Sequence, residues 1–290
     1  LADHGVGAAL VPGSFPTGTA DGLRERDLGV AVERSDVITE IRSVKTDEEI
    51  DHLRAAQRAN EAALRRAEEL IANAEIRDGI LYRDDEPLTS EFVKREIEIE
   101  LLRNGCALDE TIVAGGADAA DPHDRGSGPL SADEPIVVDI FPRDKESKYH
   151  ADMTRTFLRG EPSDEVRERY DATLEAQEAA LDAVAAGVTG KAVHDAVCDV
   201  YEDAGYPTLR SDPSTEVGYI HGTGHGIGLD VHEQPTLNPT GEELQAGQIV
   251  TVEPGLYDPE FGGIRIEDLV VVTEDGCENL TDYEKRLVLD

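Results

Sequence analysis

At residue 46 the chain changes from irregular to periodic. In TDEEIDHLRAAQRANEAALRRAEELI, Ile50, Leu53, Leu64, Ala67 and Ile71 recur at helical spacing, with charged residues between them. Thr46 stands just ahead with Glu49 three residues on, a capping box that marks where the helix begins. A second helix is predicted over TSEFVKREIEIELLRNG, from a Thr89 or Ser90 cap to Gly105 as the stop. The pattern then shortens: TIVAG, PIVVDIF and HADMTRTFL are β-branched runs bounded by breakers, and read as strands. The same order returns, with a helix from Ser163 to about Gly187, another from about Lys191 to Gly205, and strands around VGYIHG, QIVTVE and IRIEDLVVVT. Two successive sets of helix, helix and strands predict an α+β fold of pseudo-duplicated halves.

Residues 1–38 are Gly- and Pro-bearing with short apolar patches, GAALV and LGVAV. They read as the end of a preceding domain, too short to fold alone, with one catalytic domain over 39–290. The chain opens LADHGVG, without an initiator Met or a signal pattern, as a processed piece would. No apolar run approaches the 18 residues of a membrane span, so a soluble protein is predicted. Charge narrows the partners: 63 acidic against 27 basic residues leave −36 at pH 7 and a pI near 4.4. Phosphate backbones need basic patches that such a chain hardly supplies, which excludes nucleic acid. Six Lys against 21 Arg, with the acids spread evenly, resemble the surfaces of proteins from extreme halophiles. Cys106, Cys198 and Cys277 lie far apart without a C-x-x-C, which argues against disulfides and thiolate metal sites and for a reducing cytoplasm.

Candidate chemistry starts at HGTGHGIGLDVHE, residues 221–233, which holds three of the eight histidines. An H-x-x-x-H pair would put two ligands on one helical face. Gly222, Gly224, Gly226 and Gly228 oppose that, each costing about 1 kcal/mol against Ala inside a helix. An extended segment puts 221, 223 and 225 on one side and His232 on the other unless the chain bends, with the glycines as thin backbone beside a close neighbour. Carboxylates elsewhere suggest what the histidines serve. Asp139 lies inside IVVDIF, Asp152 inside HADMTRTFL, Glu253 at the end of IVTVE and Glu267 inside IRIEDLVVV. Acids within apolar strands are costly unless paired or bound to metal. Their separations are alike, 152 − 139 = 13 and 267 − 253 = 14, so two facing hairpins would gather all four. With His225 they form an oxygen-rich set suited to Mn²⁺, Co²⁺, Fe²⁺ or Zn²⁺, and numerous enough for two ions that activate water between them. The structural alternative is ion pairing, Asp152 with Arg155 or Glu267 with Arg265. Strand periodicity gives Arg265 and Glu267 one face and turns Arg155 away from Asp152.

Taken together, VVDIF with HADMTRTF, GHGIGLDVHE, TVEPGLY and GIRIEDLVVV resemble, in order, the motifs of the pita-bread metallopeptidases, which include methionine aminopeptidase, aminopeptidase P and prolidase. The resemblance covers about residues 40–290 and is nearest to the aminopeptidase P and prolidase branch. It implies a pita-bread fold with pseudo-two-fold halves around a dinuclear site, Mn or Co first among the metals and Zn or Fe next. It further implies that Asp139 binds one ion, that His225 and Glu253 bind the other, and that Asp152 and Glu267 bridge. Glu253 would also shuttle the proton, His123, His221 and His232 would face substrate, and Arg265 would support the site from behind. The activity implied is removal of the residue before proline from peptide N-termini, with Xaa-Pro dipeptidase as the alternative. The segment QPTLNPTGEELQAGQ carries no Arg or Lys, where prolidases often have a basic residue for the dipeptide carboxylate. A creatinase-like C–N hydrolase and a non-catalytic binding module share the fold but are expected to lack ligands that are all present here. The partner implied is a peptide with proline second, and a homodimer is allowed for.

Thermal stability is expected to rise with KCl, because −36 charges repel one another at low salt and are screened over about 3 Å in about 1 M salt. A melting temperature that does not move between low and molar KCl rejects the halophile-like reading.

Overall fold

Among the described residues, four of the six α-helices begin at one hydroxyl each. The computed structural model describes residues 8–12, 15–25 and 31–289, so Gly7 of GAALV and 28–30 of LGVAV lie outside it. At the N-terminal end β1 (Ala8–Val11) pairs in parallel with β2 (Ala31–Arg34), joined through α1 (Thr17–Glu25), and α2 (Val37–Ser43) follows. The long helix α3 spans Asp47–Ala72, with Thr46 and Glu49 forming the predicted capping box. A small meander of β3 (Glu75–Arg77), β4 (Ile80–Arg83) and β5 (Glu86–Pro87) leads to α4 (Ser90–Arg103), capped by Thr89. Two short strands, β6 (Cys106–Ala107) and β9 (Arg143–Asp144), pair with each other. Between and after them run β7 (Thr111–Gly115), β8 (Ile136–Ile140) and β10 (Met153–Arg159).

The second half repeats the plan. Ser163 caps α5 (Asp164–Ala183) and Thr189 caps α6 (Gly190–Asp203). Then come β11 (Gly224–Gly226), β12 (Glu233–Leu237), β13 (Ile249–Val252), β14 (Gly255–Asp258), β15 (Gly262–Arg265), β16 (Asp268–Val272), β17 (Cys277–Asn279) and β18 (Val288–Leu289). The first sheet runs β18-β10-β8-β7 and the second β12-β11-β13-β16-β17. Each half buries a helix pair against its own sheet. Leu64, Ile71, Ile97 and Leu101 pack on Val113, Val138 and Phe157, while Ala176, Ala180, Val197 and Tyr201 pack on Val250, Val252 and Val270. Fully burying one such aliphatic side chain is worth roughly 1.5–3 kcal/mol. The duplicated α+β plan is therefore realised. Among the described residues no helix is long and apolar enough to cross a membrane.

Three boundaries differ from the sequence reading. IRIEDLVVVT is two strands, broken at 266–267 between β15 and β16, where the chain leaves its hairpin with β14 and joins β13. VGYIHG makes only isolated bridges, Gly218 to Tyr257 and Thr208 to Tyr219, since Gly218 sits at φ +84° and breaks the extended run. The helix from Ser163 stops at Ala183, because Val184 turns to an extended conformation.

The halves are joined along β10, whose alternation divides the labour. Thr154 and Thr156 reach the second half: Glu267 N donates to Thr154 O (3.0 Å), and Thr156 Oγ1 donates to Arg265 O (2.9 Å). Arg155, buried between them, donates to Asp268 Oδ1 at 2.8 Å and to Glu267 O at 2.6 Å. Burial alone would push the Asp268 carboxyl up, but Arg155 and Lys285 hold it below the usual range. Its stabilisation is thus present above about pH 4 and lost as pH falls through the lowered value. Asp268→Ala strands a buried guanidinium, and a loss of about 3–5 kcal/mol is expected in denaturant unfolding. A loss below about 1 kcal/mol means that the pair does not hold the seam.

Candidate metal centre and peptide cleft

Along β8 the side chains alternate, with Ile136, Val138 and Ile140 in the helix-side core and Asp139 turned to the opposite face. Asp152 directly precedes β10. Glu253 follows β13 and Glu267 precedes β16, so the latter two face each other across one antiparallel pair. All four carboxylates line one cavity of ≈ 440 Å³ together with His123, His221, His225, His232 and Arg265. The sequence-predicted site residues thus converge on a single cleft, although they come from both halves of the fold.

His225 holds the geometry expected of a ligand. Its Nδ1 donates to Gly226 O at 3.1 Å, which leaves the Nε2 lone pair directed at the acids, 3.7 Å from Asp152 Oδ2 and 3.5 Å from Glu253 Oε1. Burial lowers its pKa, keeping the ring neutral. The glycines around it are thin for a reason. A Cβ on Gly224 would lie 1.9 Å from Thr251 O, and one on Gly226 would lie 2.2 Å from Gln234 O. The chain does bend after His225, folding β11 against β12 with a register shift, and this brings the His232 ring within 4.3 Å of the His225 ring. His221 keeps both ring nitrogens occupied, Nδ1 donating to Gly222 O (2.6 Å) and Nε2 accepting from Tyr257 Oη (3.0 Å). Burial, with Arg265 next, pushes it down to about 3. His123 stands at the rim with its side chain 87% exposed, 3.7 Å from Asp121.

Electrostatics show what the cleft can accept. Burial first, then repulsion from Glu267, Asp139 and Glu253, drives Asp152 well above the carboxylate range. Burial and then Glu253 and Asp139 do the same to Glu267, and burial lifts Glu253 to about 7 against the opposing pull of Arg265. Donor atoms of Asp152, His225 and Glu267 lie within 4.8 Å of one another, and Asp139 Oδ1 is buried without any hydrogen-bond partner. An oxygen-rich donor set with a neutral imidazole and an orphaned carboxylate oxygen fits divalent cations. The ion-pair alternative fails for the set as a whole. Arg155 pairs with Asp268, and Arg265 pairs with Asp139 at 2.7 Å rather than with Glu267, because the strand break at 266–267 separates their directions. Arg265 also donates to Tyr257 Oη (2.8 Å) and Thr154 Oγ1 (3.2 Å), and Thr154 donates onward to Glu267 (2.7 Å).

Sequence reasoning missed the residues that fix the backbone under these acids. Gln57 on α3 receives Asp152 N (3.3 Å) and donates to Asp152 O (3.2 Å), and Asn60 donates to Ile140 O (2.6 Å). Gln177 on α5 does the matching task, donating to Val252 O (3.1 Å) and Ile266 O (3.2 Å), each one residue before a cleft acid. The signal was present: Gln57 and Asn60 fall at Leu53+4 and Leu53+7, polar residues on an otherwise apolar stripe.

Comparisons with known proteins place the chain in a family. The family model described as metallopeptidase family M24 matches residues 51–274. A Xaa-Pro dipeptidase of Pyrococcus furiosus is 33% identical over 257 residues, which cover 87% of this chain and 67% of that protein. In structure the chain is similar to the prolidase from Pyrococcus furiosus, with TM-score 0.81 and 29% identity over 96% of this chain and 77% of that one. It is also similar to the X-Pro aminopeptidase from Thermotoga maritima, with TM-score 0.82 and 30% identity over 99% and 76%. The fold is that of the pita-bread prolidases.

Asp152→Asn separates the demands on this cleft. A carboxyl whose folded pKa is raised costs stability above its unfolded value, near pH 4, and the cost grows until pH passes the folded value. Chelated Asp152→Asn is therefore expected to melt above chelated wild type at pH 8, with the difference vanishing toward pH 4, while Mn²⁺ affinity falls at least about tenfold. Equal melting at pH 8 together with wild-type metal content contradicts this electrostatic reading.

Proposed function

The chain belongs to metallopeptidase family M24, and we propose that it hydrolyses the peptide bond before proline, with Xaa-Pro dipeptides as its substrates. The observation that carries the reading is the convergence of Asp139, Asp152, Glu253, Glu267 and His225 in one cavity whose wall and rim present three further histidines. In our assignment Asp139 would hold one ion and His225 with Glu253 the other, Asp152 and Glu267 would serve both, and Mn or Co would be preferred over Zn or Fe. Ions bound there supply an acidified water and polarise the scissile carbonyl. Glu253, placed at the inner wall of the cleft, is the acid we assign to accept and return the proton. His232, packed edge-on to His225, lies where it can donate to the carbonyl oxygen as charge develops. His221, fixed between Gly222 O and Tyr257, walls the pocket for the proline ring, and His123 contacts substrate from the rim. Arg265 holds Asp139 in place from behind. We assign this chemistry to residues 39–290, with 1–38 as the end of a preceding domain.

The dipeptide is put first because Xaa-Pro dipeptidases and prolidases outnumber proline aminopeptidases among the proteins this chain is similar to. This reverses the order favoured by the motifs alone. An aminopeptidase acting on longer Xaa-Pro-Yaa peptides remains the second reading, favoured by the absence of Arg and Lys from 234–248.

Values of kcat/KM for Ala-Pro, Ala-Pro-Ala and Ala-Ala-Ala separate the readings. Ala-Pro is expected to exceed each of the others by about tenfold or more, and chelation to abolish all cleavage. Preference for Ala-Pro-Ala transfers the assignment to the aminopeptidase, and preference for Ala-Ala-Ala removes proline specificity.

A further inference from the structure

A dipeptide makes a demand that a longer peptide does not: its free carboxylate, one bond beyond the proline ring, has to be met by positive charge. Ions held by Asp139, Asp152, Glu253 and Glu267 would balance those four acids, so the carboxylate needs a cation of its own, and the described cavity lining offers two guanidinium groups, Arg125 and Arg265. Arg265 is buried and fully engaged by Asp139, Tyr257, Thr154 and the Pro122 carbonyl, so it cannot turn to substrate. Arg125 is different. Its side chain is 43% exposed, its only ion-pair partner among the described residues is Glu110 at the same rim, and its guanidinium lies 5.8 Å from the Phe141 ring centroid.

The backbone that carries Arg125 is built to stay still. Val113 N on β7 donates to Arg125 O (3.1 Å), Lys94 Nζ donates to Gly126 O (2.7 Å), and Gly126 N donates to Asp124 Oδ1 (2.7 Å). Gly126 sits at φ +73°, and a Cβ there would lie 1.9 Å from Val113 O, so the loop is pressed directly onto β7. The guanidinium can therefore swing at the cleft mouth while its Cα stays fixed. We propose that Arg125 is the specificity residue that binds the substrate's free carboxylate, exchanging Glu110 for it. The inference rests on the Xaa-Pro dipeptidase reading and deepens it, since it provides on the 121–128 loop the charge that 234–248 lacks. The exchange is easy because an exposed ion pair contributes little, whereas a guanidinium meets a carboxylate through two parallel N–H bonds.

The test compares kcat/KM for Ala-Pro and for its C-terminal amide, Ala-Pro-NH₂, in the metal-loaded full chain. In Arg125→Gln the acid-to-amide ratio is expected to fall about tenfold, through KM rather than kcat, as loss of one charge-assisted contact requires. Arg125→Lys, which keeps the charge but not the fork, should recover part of that ratio. Glu110→Gln, which removes the competitor, should raise it above wild type. A ratio within twofold of wild type in Arg125→Gln overturns the proposal, as does a Glu110→Gln ratio below wild type. If the wild type cleaves neither proline substrate but does cleave Ala-Ala, the Xaa-Pro reading has failed first and takes this inference with it.

Discussion

Repulsion among buried carboxylates is the constraint around which this molecule is arranged. Unit charges 4 Å apart interact by roughly 4 kcal/mol at an effective dielectric of 20, and Asp139, Asp152, Glu253 and Glu267 share one cavity, with all but Glu253 buried. Arg265, tied to Asp139, opposes part of that field. The remainder is visible in the raised pKa values of Asp152, Glu253 and Glu267, which share the same causes in burial and mutual charge. Bound cations are the natural complement, and the neutral His225 with its free Nε2 fits beside them.

Holding such groups together demands a stiff backbone, and each half provides it in the same way. A buried glutamine projects from the first helix of each pair, Gln57 from α3 and Gln177 from α5, and spends its amide on the main chain at or beside a cleft acid. Between the halves, β10 directs Thr154 and Thr156 to one side and Arg155 to the Asp268 pair. The fold therefore places its polar bonds where charge repulsion would otherwise spread the strands.

Much of this was legible in the sequence because local rules and tertiary demands coincide. Thr46, Thr89, Ser163 and Thr189 cap helices by direct side-chain bonds, and the apolar runs around Asp139 and Glu253 could only be strands. The five proposed ligands stood out as acids and an imidazole in apolar or glycine-rich settings. Other features depend on partners far along the chain. The Arg155–Asp268 and Arg265–Asp139 pairs span 113 and 126 residues, and no periodicity within one strand identifies them. The break at 266–267 is likewise invisible in a continuous apolar run, since it arises from the chain changing sheets. Arg125 was passed over because a lone arginine in a loop carries no pattern, and only the shared cavity gives it meaning.

The claim that the carboxylate cluster is a two-ion centre is tested most directly by anomalous diffraction from Mn²⁺-soaked crystals. The expected result is two peaks about 3.5 Å apart, with Asp152 and Glu267 touching both and His225 touching one. A single peak held by Asp152, His225 and Glu267 alone, or no peak in this cleft, contradicts it.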